Sequence, residues 1–144
     1  MKSVRHLLDV KGHEVWTIEP EATVYQALVV LAEKDIGALV VTQDENLVGI
    51  FSERDYTRKV ALHGRVSKET RVSAVMTPDV ITLGPDQPID DCMSLMTEHR
   101  IRHLPVLEDG EIVGLISIGD VVKEVIEEQE FQINQLTNYI SGER

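Results

Sequence analysis

Cysteine is almost absent from this sequence. Only Cys92 occurs among the 144 residues, so no disulfide can form within the chain and no zinc site can be assembled from cysteines. Cys92 falls on an apolar helical stripe, where a thiolate is disfavoured, and this argues against a nucleophilic role. We expect it to pack in the core.

Positive charge and long apolar runs are also scarce. The chain has 14 lysines and arginines against 25 acidic residues, a formal charge of −11. Without a basic cluster it offers little to a nucleic acid, whose binding depends on neutralising phosphates. No apolar run approaches the roughly 18 to 20 residues of a membrane helix, and the start, MKSVRHLLDV, lacks the apolar region of a signal peptide. We therefore expect no membrane association and a cytoplasmic location.

Motifs of catalysis and metal binding are missing as well. There is no HExxH pattern and no GxxxxGK[ST] phosphate loop, and no recognised ligand spacing connects the five histidines, His6, His13, His63, His99 and His103. We predict neither catalytic residues nor a metal site.

The sequence does contain an internal repeat. A shift of 65 residues without a gap superposes Pro20 on Pro85, Val48-Gly49 on Val113-Gly114 and Asp55 on Asp120. A lead-in also repeats, Val4–Leu8 against 72–76, but with an offset of 68. The first copy therefore carries three extra residues around Lys11-Gly12-His13.

Each copy predicts a strand, a helix, a hairpin and a closing helix. Short β-branched runs followed by proline indicate the strands, apolar residues at i, i+3, i+4 and i+7 indicate the helices, and short acidic turns join the hairpin strands. The predicted elements are the strands Val15–Ile18 and Val80–Leu83, the hairpins 38–52 and 103–117, a closing helix from Glu53 to His63 ending at Gly64, and a longer one from Ile118. The fold class is α/β (α+β), with two β-α-β-β-α repeats about a pseudo-two-fold axis.

We divide the chain into a first repeat with its lead-in (1–64), a linker (65–71), a second repeat (72–128) and a C-terminal helical extension (129–144). The extension continues the last helix with Ile133, Leu136, Tyr139 and Ile140. It has more apolar surface than one module should bury. Two interpretations stay open, a tail folded back on its own core and a dimer contact. We expect a homodimer.

Two motifs carry a family resemblance. Gly49-Ile-Phe-Ser-Glu-Arg-Asp55 and Gly114-Leu-Ile-Ser-Ile-Gly-Asp120, together with Arg102-His-Leu-Pro-Val106, resemble a tandem pair of cystathionine-β-synthase (CBS) domains, or Bateman module, of the stand-alone bacterial signal-transduction type. The resemblance implies two clefts between the repeats that bind adenosine-containing ligands such as AMP, ADP, ATP, NAD or S-adenosylmethionine. It also implies pairs that dimerise into a flat disc and a non-catalytic sensor that signals to an unknown downstream protein.

The aspartates of these motifs allow two interpretations. Ser52-x-x-Asp55 and Ser117-x-x-Asp120 fit a capping box at a helix start. In the family, the matching aspartate accepts hydrogen bonds from both ribose hydroxyls, a charge-assisted contact. We favour the ribose role for both aspartates, with the serines able to serve both roles.

The resemblance also implies phosphate and adenine contacts. Arg100, Arg102 and His103 stand where the family often places phosphate-contacting side chains, although strand alternation sends Arg102 and His103 to opposite faces. The first copy has Gly37 and Ala38 there instead. We therefore expect unequal clefts, the second tighter, unless contacts between the copies reverse that order. The other candidate ligand residues are Arg54, Thr17 and Thr82.

A ligand-free alternative remains. In that hypothesis the protein is an interaction or structural CBS dimer whose clefts are degenerate and whose aspartates are only caps.

Overall fold

A computed structural model describes residues 2–142 of the chain. The first half contains α1 (Val4–Lys11), β1 (Thr17–Ile18), α2 (Val24–Lys34), β2 (Ala38–Gln43), β3 (Asn46–Ser52) and α3 (Glu53–Asp55), which runs directly into a π-helical segment, Tyr56–Ala61. The second half contains α4 (Val72–Val75), α5 (Ile89–His99), β4 (His103–Glu108), β5 (Glu111–Ser117) and α6 (Ile118–Ser141). The predicted repeat of helix and hairpin is present in both halves.

The two sheets differ by one strand. In the first, β1 pairs parallel to β2 and β2 pairs antiparallel to β3. In the second, β4 and β5 form an antiparallel pair, and the predicted strand Val80–Leu83 is reduced to one parallel bridge between Leu83 and Val106. Proline explains the loss. In the first repeat the amide of Val40 donates to the carbonyl of Trp16, and its counterpart 65 residues on is Pro105, which has no N–H to donate.

The helix predicted over Glu53–His63 is also different. A regular α-helix lasts only to Asp55, and then the amide of Leu62 bonds five residues back to the carbonyl of Thr57. The hydroxyl of Thr57 donates to the carbonyl of Glu53 at 3.1 Å, which is the acceptor that the Thr57 amide would use in a regular helix. Gly64, with φ +66°, lies just past the segment as predicted.

The two hydrophobic cores exchange their lead-in helices. Val4, Leu7 and Leu8 of α1 lie in the core of the second repeat, whereas Val72 and Val75 of α4 lie in the core of the first. Equivalent backbone bonds fix both contacts, from the Val4 amide to the Gln87 carbonyl at 2.9 Å and from the Val72 amide to the Ala22 carbonyl at 2.8 Å. Each hydrophobic core therefore contains residues from both sequence repeats.

The exchange of the lead-in helices explains why each repeated motif begins with a glycine, Gly49 or Gly114. A Cβ on Gly114 would collide with the side chain of Leu8, and a Cβ on Gly49 would lie 2.7 Å from the sulfur of Met76. Leu8 and Met76 are equivalent positions of the two lead-ins. Both glycines thus allow a lead-in from the other half of the chain to approach the hairpin.

The C-terminal helix does not fold back. α6 packs on the second repeat through Val121, but the whole predicted extension, as far as the described chain reaches at residue 142, is exposed. Residues 143–144 of that extension lie outside the described residues. Within the described range, 2–142, no helix has the length and apolar character needed to cross a membrane.

Candidate functional site

Both motif aspartates form the predicted capping boxes. The hydroxyl of Ser52 accepts from the amide of Asp55 at 3.2 Å, and the Asp55 carboxylate accepts from the amide of Ser52 at 2.9 Å. Ser117 and Asp120 make the same two bonds at 3.2 and 2.8 Å. The capping role is thus realised in both repeats, and any ligand role would be additional to it.

A cleft of about 500 Å³ opens beside Asp55 and is built by both repeats. Seven predicted ligand residues line it: Gly37, Ser52, Arg54, Asp55, Arg100, Arg102 and His103. Arg100 and Arg102 therefore line the cleft of the first repeat's aspartate, and His103 lines it too while staying close enough to Lys11 and Asp120 for their charges to shift its pKa. The reason is the pairing of the repeats, which brings the start of β4 against the end of β3.

Sequence reasoning missed ten residues that also line this cleft. They are Ile50, Glu53, Arg58, Lys59, Thr77, Asp79, Val80, Ile81, His99 and Ile101. Lys59 had a detectable signal, because it lies four residues after Asp55 on the same helical segment. Thr77 to Ile81 had none, since they follow the second lead-in and reach the first repeat only through the exchange of lead-ins.

The second oxygen of Asp55 is also occupied. Oδ1 accepts from the hydroxyl of Thr77 at 3.0 Å and lies 3.0 Å from the ammonium of Lys59. Asp55 is 8% exposed as a residue. These partners hold the carboxylate at the base of the cleft, and a ligand hydroxyl would replace Thr77 or Lys59 without breaking the cap.

The cleft concentrates positive charge in an acidic chain. Five of its lining residues are lysines or arginines, Arg54, Arg58, Lys59, Arg100 and Arg102, against three acidic ones, Glu53, Asp55 and Asp79. Arg54 is partly used for structure, because its Nη1 donates to the carbonyl of Arg100 at 2.8 Å and ties the repeats together. The remaining cations face a space of ligand size.

His103 also lines the cleft, but its side chain is neutral. Burial lowers the pKa of its imidazole below the usual value, and the positive charge of Lys11 lowers it further. At neutral pH the ring carries no charge. Gly37 lies against it, since a Cβ there would be in van der Waals contact with Nε2 of His103 at 3.5 Å.

The equivalent place beside Asp120 is filled by the three-residue insertion of the first copy. The insertion lengthens α1 by a turn relative to α4, so that Lys11 reaches Asp120. Its ammonium bonds Oδ2 of Asp120 at 2.6 Å and the carbonyl of Leu115 at 2.7 Å. Next to it, the ring of His13 contacts the carbonyl of Val113 at 3.2 Å and Asp9 at 2.9 Å.

Two side-chain pKa values reflect these contacts. Burial alone would raise the pKa of Asp120, but the hydrogen bonds from Lys11 and from the Ser117 amide outweigh it and lower the pKa below its usual value. The carboxylate of Asp9, and then the carbonyl of Val113, raise the pKa of His13. Asp120, like Asp55, is therefore a paired anion.

Three other predicted ligand residues lie outside the Asp55 cleft. Ala38 is buried at the start of β2, paired with Ser52. Thr17 is exposed on β1, and Thr82 is half-buried beside the bridge at Leu83. Neither threonine lines the cleft.

Cys92 lies in the core of the second repeat, where burial raises the pKa of its thiol to about 11. The thiol is protonated at neutral pH and is not a nucleophile. Among residues 2–142, no group of three histidine, cysteine or acidic side chains is arranged to hold a metal ion.

Comparison with known families decides the assignment. The sequence model described as "CBS domain" matches residues 7–62 and again 72–127. This chain belongs to the CBS-domain family. The CBS pair is 42% identical over 136 residues to the mitochondrial CBS domain-containing protein CBSX3 of Arabidopsis thaliana, covering 91% of this chain and 66% of that protein's length.

Solved structures agree with the fold. A CBS-domain protein assigned to signal transduction in Burkholderia ambifaria MC40-6 superposes with a TM-score of 0.85 at 49% identity, covering 89% of this chain and 96% of that one. The CBS pair of protein MJ0100, in complex with 5'-methylthioadenosine and S-adenosyl-L-methionine, has a TM-score of 0.79 at 22% identity, covering 89% and 98%. The two-repeat α/β architecture with a C-terminal helix is thus that of CBS pairs.

Proposed function

We propose that this CBS pair is a non-catalytic sensor that binds an adenosine-containing ligand in the Asp55 cleft and signals its presence to a downstream protein. The observation that carries the proposal is the composition of that cleft. The cleft is lined by the buried carboxylate of Asp55, by four apolar side chains and by arginines from both repeats.

Each part suits one part of a nucleotide. The Asp55 carboxylate accepts hydrogen bonds from ribose hydroxyls. Ile50, Val80, Ile81 and Ile101 offer an apolar surface for the base. Arg100 and Arg102 can pair with phosphate oxygens, and arginine's planar fork suits that task.

The charge of the cleft orders the candidate ligands. AMP, ADP, ATP and NAD carry anionic phosphates that the arginines favour, whereas S-adenosylmethionine carries a cationic sulfonium. The MJ0100 complex supports the adenosine class, because that protein of the same fold holds two adenosine-containing ligands. We propose phosphorylated ligands ahead of S-adenosylmethionine.

The position of the arginines supports the Asp55 cleft as the principal site. Both carboxylates already have a lysine partner, Lys59 for Asp55 and Lys11 for Asp120, but Arg100 and Arg102 of the second repeat line the cleft beside Asp55. This proposal reverses the order of affinity expected from the sequence, in which Arg102 and His103 made the second cleft the tighter one.

A second candidate function is the ligand-free interaction dimer. It draws support from the capping boxes and from Thr77, Lys59 and Lys11, which already satisfy both carboxylates. The homodimer, the cytoplasmic location and the downstream protein stay predictions under either function.

A ligand titration separates the two functions. AMP, ADP, ATP, NAD and S-adenosylmethionine are added in turn to the full chain, and melting temperature and heat of binding are measured. A ligand that binds only the folded form stabilises it by about 2.7 kcal/mol at a concentration of 100 Kd. The sensor predicts such a shift for at least one phosphorylated ligand, and the absence of heat and shift for all five supports the ligand-free dimer.

A further inference from the structure

Helix α6 has two apolar faces, and only one is used by the fold. Val121 and Val125 face the core of the second repeat. About 100° around the helix from these two, Val122 and Ile126 are 45% and 48% exposed. The outward face is therefore not required for the module itself.

The outward residues follow a heptad pattern to the end of the helix. Spacings of four and three residues alternate through Val122, Ile126, Gln129, Ile133, Leu136 and Ile140. We call these six residues the α6 seam. A strict 3.5-residue period keeps one face turned toward a partner helix only when the two helices supercoil. The pattern therefore indicates a second helix, not a flat protein surface.

The side chains at the a and d positions of the seam indicate the number of helices in the coiled coil. Ile126, Ile133 and Ile140 occupy the a positions, and Val122 and Leu136 occupy d positions. β-Branched residues at a, with leucine at d, favour a parallel two-stranded coiled coil. We propose that α6 pairs along this seam with α6 of a second copy of this chain, as a parallel two-stranded coiled coil.

Gln129, the polar member of the seam, supports a parallel pair of identical helices. In parallel register it meets Gln129 of the second copy, and the two amides can hydrogen-bond to each other. With the helices antiparallel and the seams fully overlapped, Gln129 would face Ile133 and its amide would be buried without that partner. A single polar residue in a seam commonly fixes register in this way.

The charges beside the seam give the same orientation. In the parallel pair, Glu130 lies beside Val125 of the second copy, so no like charges meet there. In the antiparallel pair, Glu130 lies close to Glu130 of the second copy, and the two carboxylates repel each other. The parallel pair is therefore the better electrostatic solution for this acidic helix.

The oligomeric state tests the seam with a matched pair of variants. Leu136 and Phe131 are both 58% exposed on α6, but only Leu136 lies in the seam. Light scattering of the full chain should give a dimer for wild type, and Leu136→Glu should weaken dimerisation by about a hundredfold or more, because it places two charges in the seam. Phe131→Glu should remain dimeric.

Three outcomes would overturn the proposal. The first is a wild-type monomer at high micromolar concentration. The second is a Leu136→Glu variant that stays as dimeric as Phe131→Glu, which would place the interface elsewhere, as in the flat disc. The third is equal dissociation by both substitutions. None of these measurements requires a nucleotide, so they are independent of the proposed sensor function.

Cysteine cross-linking tests the orientation. Ile140→Cys should form an intermolecular disulfide on mild oxidation, because the two Ile140 positions face each other in the parallel pair. In the antiparallel pair they would be 18 residues apart along the axis, about 27 Å, and no disulfide could form. The native Cys92 is buried, so it should contribute little background cross-linking. Tyr139→Cys, off the seam, is the control; cross-linking as efficient as that of Ile140→Cys, or none in either variant, would contradict the parallel seam.

Discussion

The two motif aspartates of this CBS pair have the same local sequence pattern and differ in the side chains that surround them. Asp55 and Asp120 cap their helices with equivalent hydrogen bonds. Beyond the cap, Asp55 meets a threonine hydroxyl and a lysine of its own helical segment, whereas Asp120 meets Lys11 from the other end of the chain. Both carboxylates thus have a lysine partner, and the three inserted residues decide that the partner of Asp120 comes from the lead-in of the other repeat.

The comparison also shows that the cleft and the hydrophobic cores each contain residues from both sequence repeats. Arg100 and Arg102 belong to the second repeat but line the cleft of the first repeat's aspartate. The first lead-in belongs to the first repeat but completes the core of the second. The pair is therefore the folding and functional unit, and half of it would lack both a complete core and a complete cleft.

The largest expected effect concerns that shared core. Gly114→Ala places a methyl group against Leu8, and we expect a loss of about 2 to 3 kcal/mol in the free energy of unfolding. Gly49→Ala should also be destabilising, because the unbranched side chain of Met76 can move aside but the new methyl group would still lie 3.0 Å from the backbone carbonyl of Thr77. Denaturant unfolding of both variants measures the difference. Equal and negligible losses would contradict the close approach of the lead-ins.

The next effect concerns the phosphate end of the Asp55 cleft. Arg102→Ala should weaken AMP binding by about tenfold or more, since a hydrogen bond to a charged group contributes roughly 1.5 to 3 kcal/mol. Binding of adenosine, which has no phosphate, should change little. Calorimetry with both ligands measures the ratio, and an equal loss for the two would show that Arg102 supports the fold and not the phosphate.

The smallest expected effect is that of Lys11 on the pH dependence of the free energy of unfolding. The pKa of Asp120 is lowered in the folded protein, so its contribution to stability is present above the unfolded pKa of about 3.8 and is lost as pH falls through the folded value. Lys11→Met should therefore reduce the stability difference between pH 6 and pH 3 by less than about 1 kcal/mol, since the pair is partly exposed. Unfolding at both pH values measures this. An unchanged difference would mean that Lys11 does not pair with Asp120.

Much of this fold could be predicted from the sequence, because its signals are local. The hairpins and both capping boxes follow from residue spacing within a few positions, the repeat follows from a single shift of 65 residues, and the structure contains all three. The prediction of a strand at Val80–Leu83 was wrong because Pro105, on the neighbouring strand, has no backbone N–H to donate. This is visible only once the pairing of the strands is known. The π-helical segment after Asp55 has no periodicity that distinguishes it from an α-helix.

The site was harder to predict than the fold, because it depends on contacts between distant residues. The aspartates were found from their motif, yet the cations were assigned to the wrong aspartate, since the sequence does not show which repeat faces which. Lys11 was noticed only as part of an insertion. Its contact with Asp120 spans 109 positions and arises from the packing of α1 on the second repeat.

The inequality of the clefts is tested most directly by titrating AMP into Asp55→Asn and Asp120→Asn. Asparagine keeps one oxygen for the cap in both variants, and Asp120→Asn should lose at most about 1 kcal/mol of stability. Asp55→Asn should lose more, because its amide NH2 would face the Lys59 ammonium and the Thr77 hydroxyl. If the Asp55 cleft is the principal site, Asp55→Asn weakens AMP binding by about tenfold or more, and Asp120→Asn leaves it within about twofold of wild type. Equal weakening by both substitutions, or a larger loss in Asp120→Asn, would contradict the account.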